Sequence, residues 1–287
     1  MDEIEKLAQD GWKLREQHFG ATICFTYPTA TQTVSVTGTH CELNCAHCGG
    51  HYLQQMKPLT AISQPGDIIG RSCLISGGCN RDGKVPLTAV TARLQELKQG
   101  RRYNLHVGLV DAEDIDKLAG IADMVSFDFV GDTATIQEVF GTNHTVDDYV
   151  ACYKLLQQSG PVMPHICIGL YGGEIRGEYQ ALQLLRELGA AGLTFIVFTP
   201  TRGTAFADRQ PPSLAAVVKL FVKARQLFPD IPLHLGCMRP GGRYRTELDQ
   251  WAVKSGINTI VNPTPGAVRL ARSLDLAMTR GEECCSL

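Results

Sequence analysis

Residues 165–199, HICIGLYGGEIRGEYQALQLLRELGAAGLTFIVFT, decide the fold. The two ends of this stretch, His165–Leu170 and Thr194–Thr199, are nearly continuous apolar runs of strand length. Such runs fit strands buried on both faces, the condition inside a parallel sheet. Between them Glu178–Leu188 carries apolar residues at helical spacing, and Gly189 and Gly192 stand where a helix would stop. Strand, helix and strand in that order predict a right-handed crossover between parallel strands.

The alternation continues in both directions. Thr33–Thr39, Cys73–Ser76, Asn104–Leu109 and Met124–Val130 read as earlier strands, and Pro232–Gly236 and Thr259–Asn262 as later ones. Leu87–Lys98, Ala112–Leu118, Val146–Gln158, Leu214–Leu227, Tyr244–Lys254 and Ala267–Met278 read as helices. Eight strands predict an α/β fold of the (β/α)8 TIM-barrel type, with a partial (β/α)6 barrel carrying extra elements as the alternative. No linker or low-complexity segment divides the chain. One domain over 1–287 is expected, with an N-terminal helix at about 1–20 and a cysteine-containing tail at about 280–287.

Composition narrows the partners. The formal net charge of −2 gives no electrostatic pull toward nucleic acid or an anionic membrane. No apolar run approaches the roughly 20 residues that span a bilayer, and the acidic N-terminus MDEIEKLAQDGWKLREQ is unlike a secretory signal. A cytoplasmic location is expected. The 11 cysteines include three within residues 41–48 and an adjacent pair near the C-terminus. That clustering fits metal ligation better than a disulfide framework.

The cluster reads Thr37-Gly-Thr-His-Cys41-Glu-Leu-Asn-Cys45-Ala-His-Cys48-Gly49-Gly50, in the loop leaving the first expected strand. Three thiolates can hold three irons of a [4Fe–4S] cubane and leave the fourth open to a substrate or cofactor. A ferredoxin would close the set with a fourth cysteine, and the next one here is Cys73. A Cys₃His zinc site using His47 or His40 competes, as does a chance grouping.

The C-x₃-C-x₂-C spacing and its position resemble the radical S-adenosylmethionine (SAM) superfamily. The resemblance implies that Cys41, Cys45 and Cys48 bind the cluster. Its open iron would take the amino and carboxylate groups of SAM, and reduction would yield a 5′-deoxyadenosyl radical. Gly77 and Gly78, ending Cys73-Leu-Ile-Ser-Gly77-Gly78, match the turn that receives the SAM amino group; a plain tight turn is the alternative. The family often has an aromatic residue where His47 stands, and an imidazole can still pack on adenine. Gly169, opening Gly169-Leu-Tyr-Gly172-Gly173, matches the region framing adenine and ribose. Asp128, a charge in an apolar strand, reads as a SAM-ribose or substrate ligand, or as half of a structural ion pair. His106 and His165 read as core or pocket residues.

Further stretches place the chain nearer the biotin-synthase-related group, and most resemble one component of the two-protein lipoyl synthase of archaea and some bacteria. They are Ile75-Ser-Gly-Gly-Cys79, Val125-Ser-Phe-Asp-Phe-Val-Gly131, Pro164-His-Ile-Cys-Ile-Gly169, Leu235-Gly-Cys-Met-Arg-Pro-Gly-Gly242 and Glu283-Cys-Cys285. The resemblance implies a sulfurtransferase that inserts sulfur into an octanoyl chain on a carrier protein such as a lipoyl domain. Sulfur would come from a second cluster, electrons from a low-potential donor such as ferredoxin, and a second radical SAM subunit would take part. A deep apolar barrel mouth would suit the alkyl chain. Cys79 and Cys237 follow strands and so belong at the C-terminal rim, where barrel active sites lie. If the tail folds over that mouth, Cys284 and Cys285 join them as ligands of the second cluster; otherwise these are unrelated thiols. Cys24, Cys73, Cys152 and Cys167 read as small buried hydrophobes. A single-cluster mutase or methylase and a non-enzymatic metal-binding subunit are the competing functions.

Overall fold

A computed structural model describes residues 3–287. The chain opens with α1 (Glu3–Phe19), β1 (Thr22–Thr26), β2 (Thr31–Ser35), β3 (Lys57–Pro58) and β4 (Ser72–Ser76). There follow α2 (Thr91–Lys98), β5 (Arg102–Val107), α3 (Ala112–Leu118), β6 (Met124–Asp128), α4 (Thr133–Phe140), α5 (Val146–Ser159) and β7 (Val162–Ile168). It then runs through α6 (Glu178–Glu187), β8 (Leu193–Val197), α7 (Leu214–Leu227) and β9 (Leu233–Leu235). The last elements are α8 (Gly242–Lys254), β10 (Thr259–Val261), α9 (Pro265–Ser273) and β11 (Ala277–Gly281).

The opening stretch forms β7, α6 and β8, and β7 pairs with β8 in parallel, His165 opposite Thr194. The eight expected strands are β2 and β4 to β10, lying side by side in chain order within one 11-stranded parallel sheet. The sheet is a TIM-type barrel whose ladder is open: β3 extends it beyond β2, and β1 and β11 extend it beyond β10. Only Tyr27–Ala30 separate β1, paired with β10, from β2, paired with β4.

Strand residues alternate between two environments. Tyr103, Leu105, Phe127, Ile166 and Phe195 join the apolar layer under the helices, with Leu182, Leu185, Phe221 and Leu248. The opposite parity faces the lumen. Register sets Asp128, His165, Thr194, His234 and Thr259 in one row, because partners across a parallel ladder point to the same face. That row, inside the lumen, is polar.

Three elements depart from expectation. β1, TICFT, has the β-branched and aromatic character of a strand, and Cys24 lies within it. α4 begins at Asp132, whose carboxylate accepts from Thr135 N, and ends at Gly141 with φ 68°. The helix expected over Ala267–Met278 stops at Ser273; Asp275 turns the chain with φ 52°, and β11 follows, paired with β1.

β11 also decides where the tail goes. It delivers the chain beneath β2, where Ala30 N donates to Glu282 O (2.8 Å) and Cys284 N to Thr31 Oγ1 (2.8 Å). Arg71 pairs with Glu282, and Arg102 with Glu283 and the Leu287 carbonyl. Ser126 Oγ meets Ser286 Oγ at 3.3 Å, and Asn104 Nδ2 meets Cys284 Sγ at 3.5 Å. The tail therefore enters the lumen at the N-terminal ends of the strands and does not fold over the mouth. Among the described residues no helix is long and apolar enough to cross a membrane.

Candidate functional site

The cysteine loop leaves β2 and is tied down along its length. Thr37 Oγ1 donates to His40 O (2.9 Å) and accepts from Gly78 N (2.7 Å); Glu42 N donates to Cys79 O (2.8 Å). Farther on, Ala46 N donates to Val139 O (2.8 Å) and Ala46 O accepts from Phe206 N (3.0 Å). Gly78 explains its own identity: a Cβ there would stand 2.0 Å from His40 O and 2.6 Å from Cys41 Cβ. The glycine lets the turn after β4 lie flat against the cysteine loop.

Cys41, Cys45 and Cys48 are free thiols, and all three line one cavity of about 220 Å³ at the C-terminal mouth. His47, Gly77, Gly78, Cys79 and Asp128 line it too. One ligand atom each from Cys45, His47 and Cys48 lies within 4.8 Å of the others. His47 Nδ1 is buried without a hydrogen-bond partner. A hydrogen bond from Cys45 holds the Cys48 thiol low against burial, with His47 adding. Soft donors and an orphaned imidazole nitrogen fit a thiophilic metal or cluster.

Below the loop, His106 Nε2 stands 3.3 Å from Asp128 Oδ1, and His165 stacks on His106 with ring centroids 5.3 Å apart. Burial drives Asp128 up, but His106 facing it drives it down further, and it rests at about 2. Burial likewise presses His106 down, and Asp128 overrides it, raising it above the usual histidine range. For His165, burial and repulsion from His106 lower it to about 4. Its Nδ1 faces Met163 O at 3.1 Å; a neutral ring must donate there. The lumen wall thus carries an ionised carboxylate facing a histidine whose protonation it favours, beside a neutral imidazole.

The remaining sequence candidates separate. Gly169 ends β7 with φ 75°, its N–H donates to Glu178 Oε1 (2.6 Å), and it is absent from the wall of the thiol cavity. Cys79 sits with the motif: burial, then Cys41, Asp128 and Cys48, push its thiol up to about 12. Cys237 stands apart from the motif at the mouth, where burial and then Cys284 of the tail push its thiol up. Cys167, read from sequence as a buried hydrophobe, is partly exposed on the inner face opposite Ile196. Tyr52, which no sequence motif marks, reaches from the cysteine loop to Thr201 Oγ1 (3.5 Å).

A parallel α/β barrel with three free thiols at the C-terminal mouth is the class of structure that fold and site define. Methylornithine synthase, PylB, has this fold, with a TM-score of 0.69 at 15% identity over 98% of this chain and 91% of that one. HydG, a maturase of the [FeFe]-hydrogenase, gives 0.69 at 15% identity over 97% and 69%. Streptococcus suis SuiB bound to S-adenosylmethionine gives 0.53 at 14% identity over 77% and 52%, so this chain spans about half of SuiB. At these identities the likeness is one of fold. No protein-family model matches the chain, and no curated protein sequence is significantly similar to it.

Proposed function

We propose that the chain is a radical SAM enzyme in which Cys41, Cys45 and Cys48 hold a [4Fe–4S] cluster. The carrying observation is the convergence of three free thiols on a cavity whose wall also contains His47, Gly77, Gly78 and Asp128. The presence of SAM in SuiB supports the same cofactor here. When bound, the cluster would supply an electron to the SAM sulfonium and so give methionine and a 5′-deoxyadenosyl radical. The Asp128 carboxylate, ionised and half-facing the cavity, would accept from ribose hydroxyls, with His106 fixing its orientation. His47 would lie against adenine, and the Gly77–Gly78 backbone would approach the amino group. Gly169 would shape the rim, its N–H being committed to Glu178.

For the reaction, we favour sulfur insertion into a protein-bound octanoyl chain, as in a lipoyl synthase component. Unactivated C–H bonds offer no acidic proton, which is why radical chemistry would be needed. SuiB has been captured with a precursor peptide at a TM-score of 0.50, which supports a peptide or protein substrate. The second, sulfur-supplying cluster would need Cys284 and Cys285 to reach Cys237 from inside the lumen and not over the mouth, and Cys79 stands nearer the first cluster. A low-potential donor such as ferredoxin and a second radical SAM subunit complete the scheme.

The tight Cys45–His47–Cys48 group favours a second reading, a mononuclear zinc scaffold. Anaerobic reconstitution with iron and sulfide, metal counting, and a dithionite-driven SAM-cleavage assay separate the readings. About eight irons per chain with 5′-deoxyadenosine formation are expected. About four irons with cleavage would indicate a single-cluster mutase or methylase. Bound zinc without cleavage would overturn the radical reading.

A further inference from the structure

We propose that a second cavity, on the far side of Tyr52 from the thiols, is an oxyanion subsite for the substrate, with Arg202 and Arg245 as its ligands. It measures about 340 Å³ and lies between the cysteine loop, through His51 and Tyr52, and the segments after β8 and β9, through Arg202 and Cys237. Tyr52 walls both cavities, so a molecule held here would border the radical-generating site. Calling that molecule the substrate rests on the function proposed above; the oxyanion chemistry does not.

The charge in this cavity is one-sided. Among the described residues three arginines line it, and no acidic side chain does. Arg239 is spent: it is fully buried, pairs with Asp249 at 2.7 Å, and donates to Gly236, Val261 and Asn262 carbonyls. Arg202 and Arg245 are different. Among the described residues neither has a carboxylate partner within ion-pair distance, whereas Arg239 and Arg243 nearby each have one. Arg245 makes one hydrogen bond, to Asn262 O at 3.0 Å, leaving most of its donors unused. Burial and then Arg239 press the Arg245 guanidinium below its ordinary range, a cost that an incoming anion would offset. Two guanidinium forks over one cavity match the planar, multiply accepting oxygens of a carboxylate or phosphate. The chain is net negative, so this pair is a local feature and not a reflection of overall charge.

An octanoyl amide carries no charge. The oxyanion must therefore be either the carboxylate of a free acid or an acidic side chain beside the acylated lysine of a carrier. Equilibrium dialysis of the anaerobically reconstituted holoenzyme with octanoate, and separately with octanamide, tests the subsite. Octanoate should bind about tenfold more tightly, and Arg202→Gln should remove that preference while leaving octanamide unchanged. Arg202 is exposed and, among the described residues, its side chain has no hydrogen-bond partner, so this variant should fold normally; Arg245→Gln is the second arm. Octanoyl-lysine peptides with Asp or Asn beside the lysine separate the two sources: preference for the Asp peptide assigns the carrier, preference for octanoate alone the free acid. Equal binding of charged and neutral probes, or an unaltered preference in the Arg202→Gln and Arg245→Gln double variant, would overturn the subsite. SAM cleavage measured on the same samples keeps the outcomes apart. Charge discrimination without cleavage would sink the proposed function alone, and cleavage without discrimination would sink the subsite alone.

Discussion

His165 and His234 occupy the same polar row, and burial holds each at about 4, against an ordinary 6.5. Both are neutral in the fold, while the unfolded chain takes up their protons first as pH falls. Their contribution to stability is therefore full above about pH 6.5 and is lost progressively toward pH 4. Urea denaturation across that window should show stability falling with acidity, and His165→Asn should flatten the slope. Gly78 supports a second residue-level expectation. Alanine there meets backbone and Cys41, so Gly78→Ala should cost about 1–3 kcal/mol and lower iron retention after reconstitution, read by thermal melting and metal analysis. The sequence marked Asp128 as an unusual charge in an apolar strand and His106 as a core or pocket residue. It could not show that they pair, because that depends on the register between β5, β6 and β7.

At the scale of elements, what could be read from sequence was what burial writes into it. β7 and β8 are buried almost throughout and announce themselves as continuous apolar runs. β11 is exposed at four of its five positions and has no such pattern; it is a strand because β1 offers it an edge. Its neighbour the tail was legible as a pair of cysteines but not as an insertion into the barrel, since that route is set by β11 and by Arg102. Removing Arg102 should loosen the tail without touching the mouth. Arg102→Ala is expected to raise the alkylation rate of Cys284 and Cys285 in the folded apoprotein, followed by mass spectrometry, while Cys152 stays protected. Unchanged tail reactivity would mean that the Arg102 contacts do not hold it.

At the scale of the molecule, Arg239 and Asp249 join three elements that are apart in sequence. Arg239 follows β9, bonds Val261 of β10, and meets Asp249 of α8, whose other oxygen accepts from Thr264 N (2.8 Å). Both side chains are fully buried. Asp249→Ala leaves a guanidinium without its counter-charge and should destabilise the barrel by about 3–5 kcal/mol, measured by chemical denaturation. The tail has a different global effect. Cys284, Cys285 and Ser286 are set into the N-terminal end of the barrel and form part of the floor of the lumen. On the proposed function a substrate would enter and leave by the mouth, so a spent molecule would have to depart before another arrived. A long flexible chain can enter only tip first, and its length measures how far from the floor its anchored end is left.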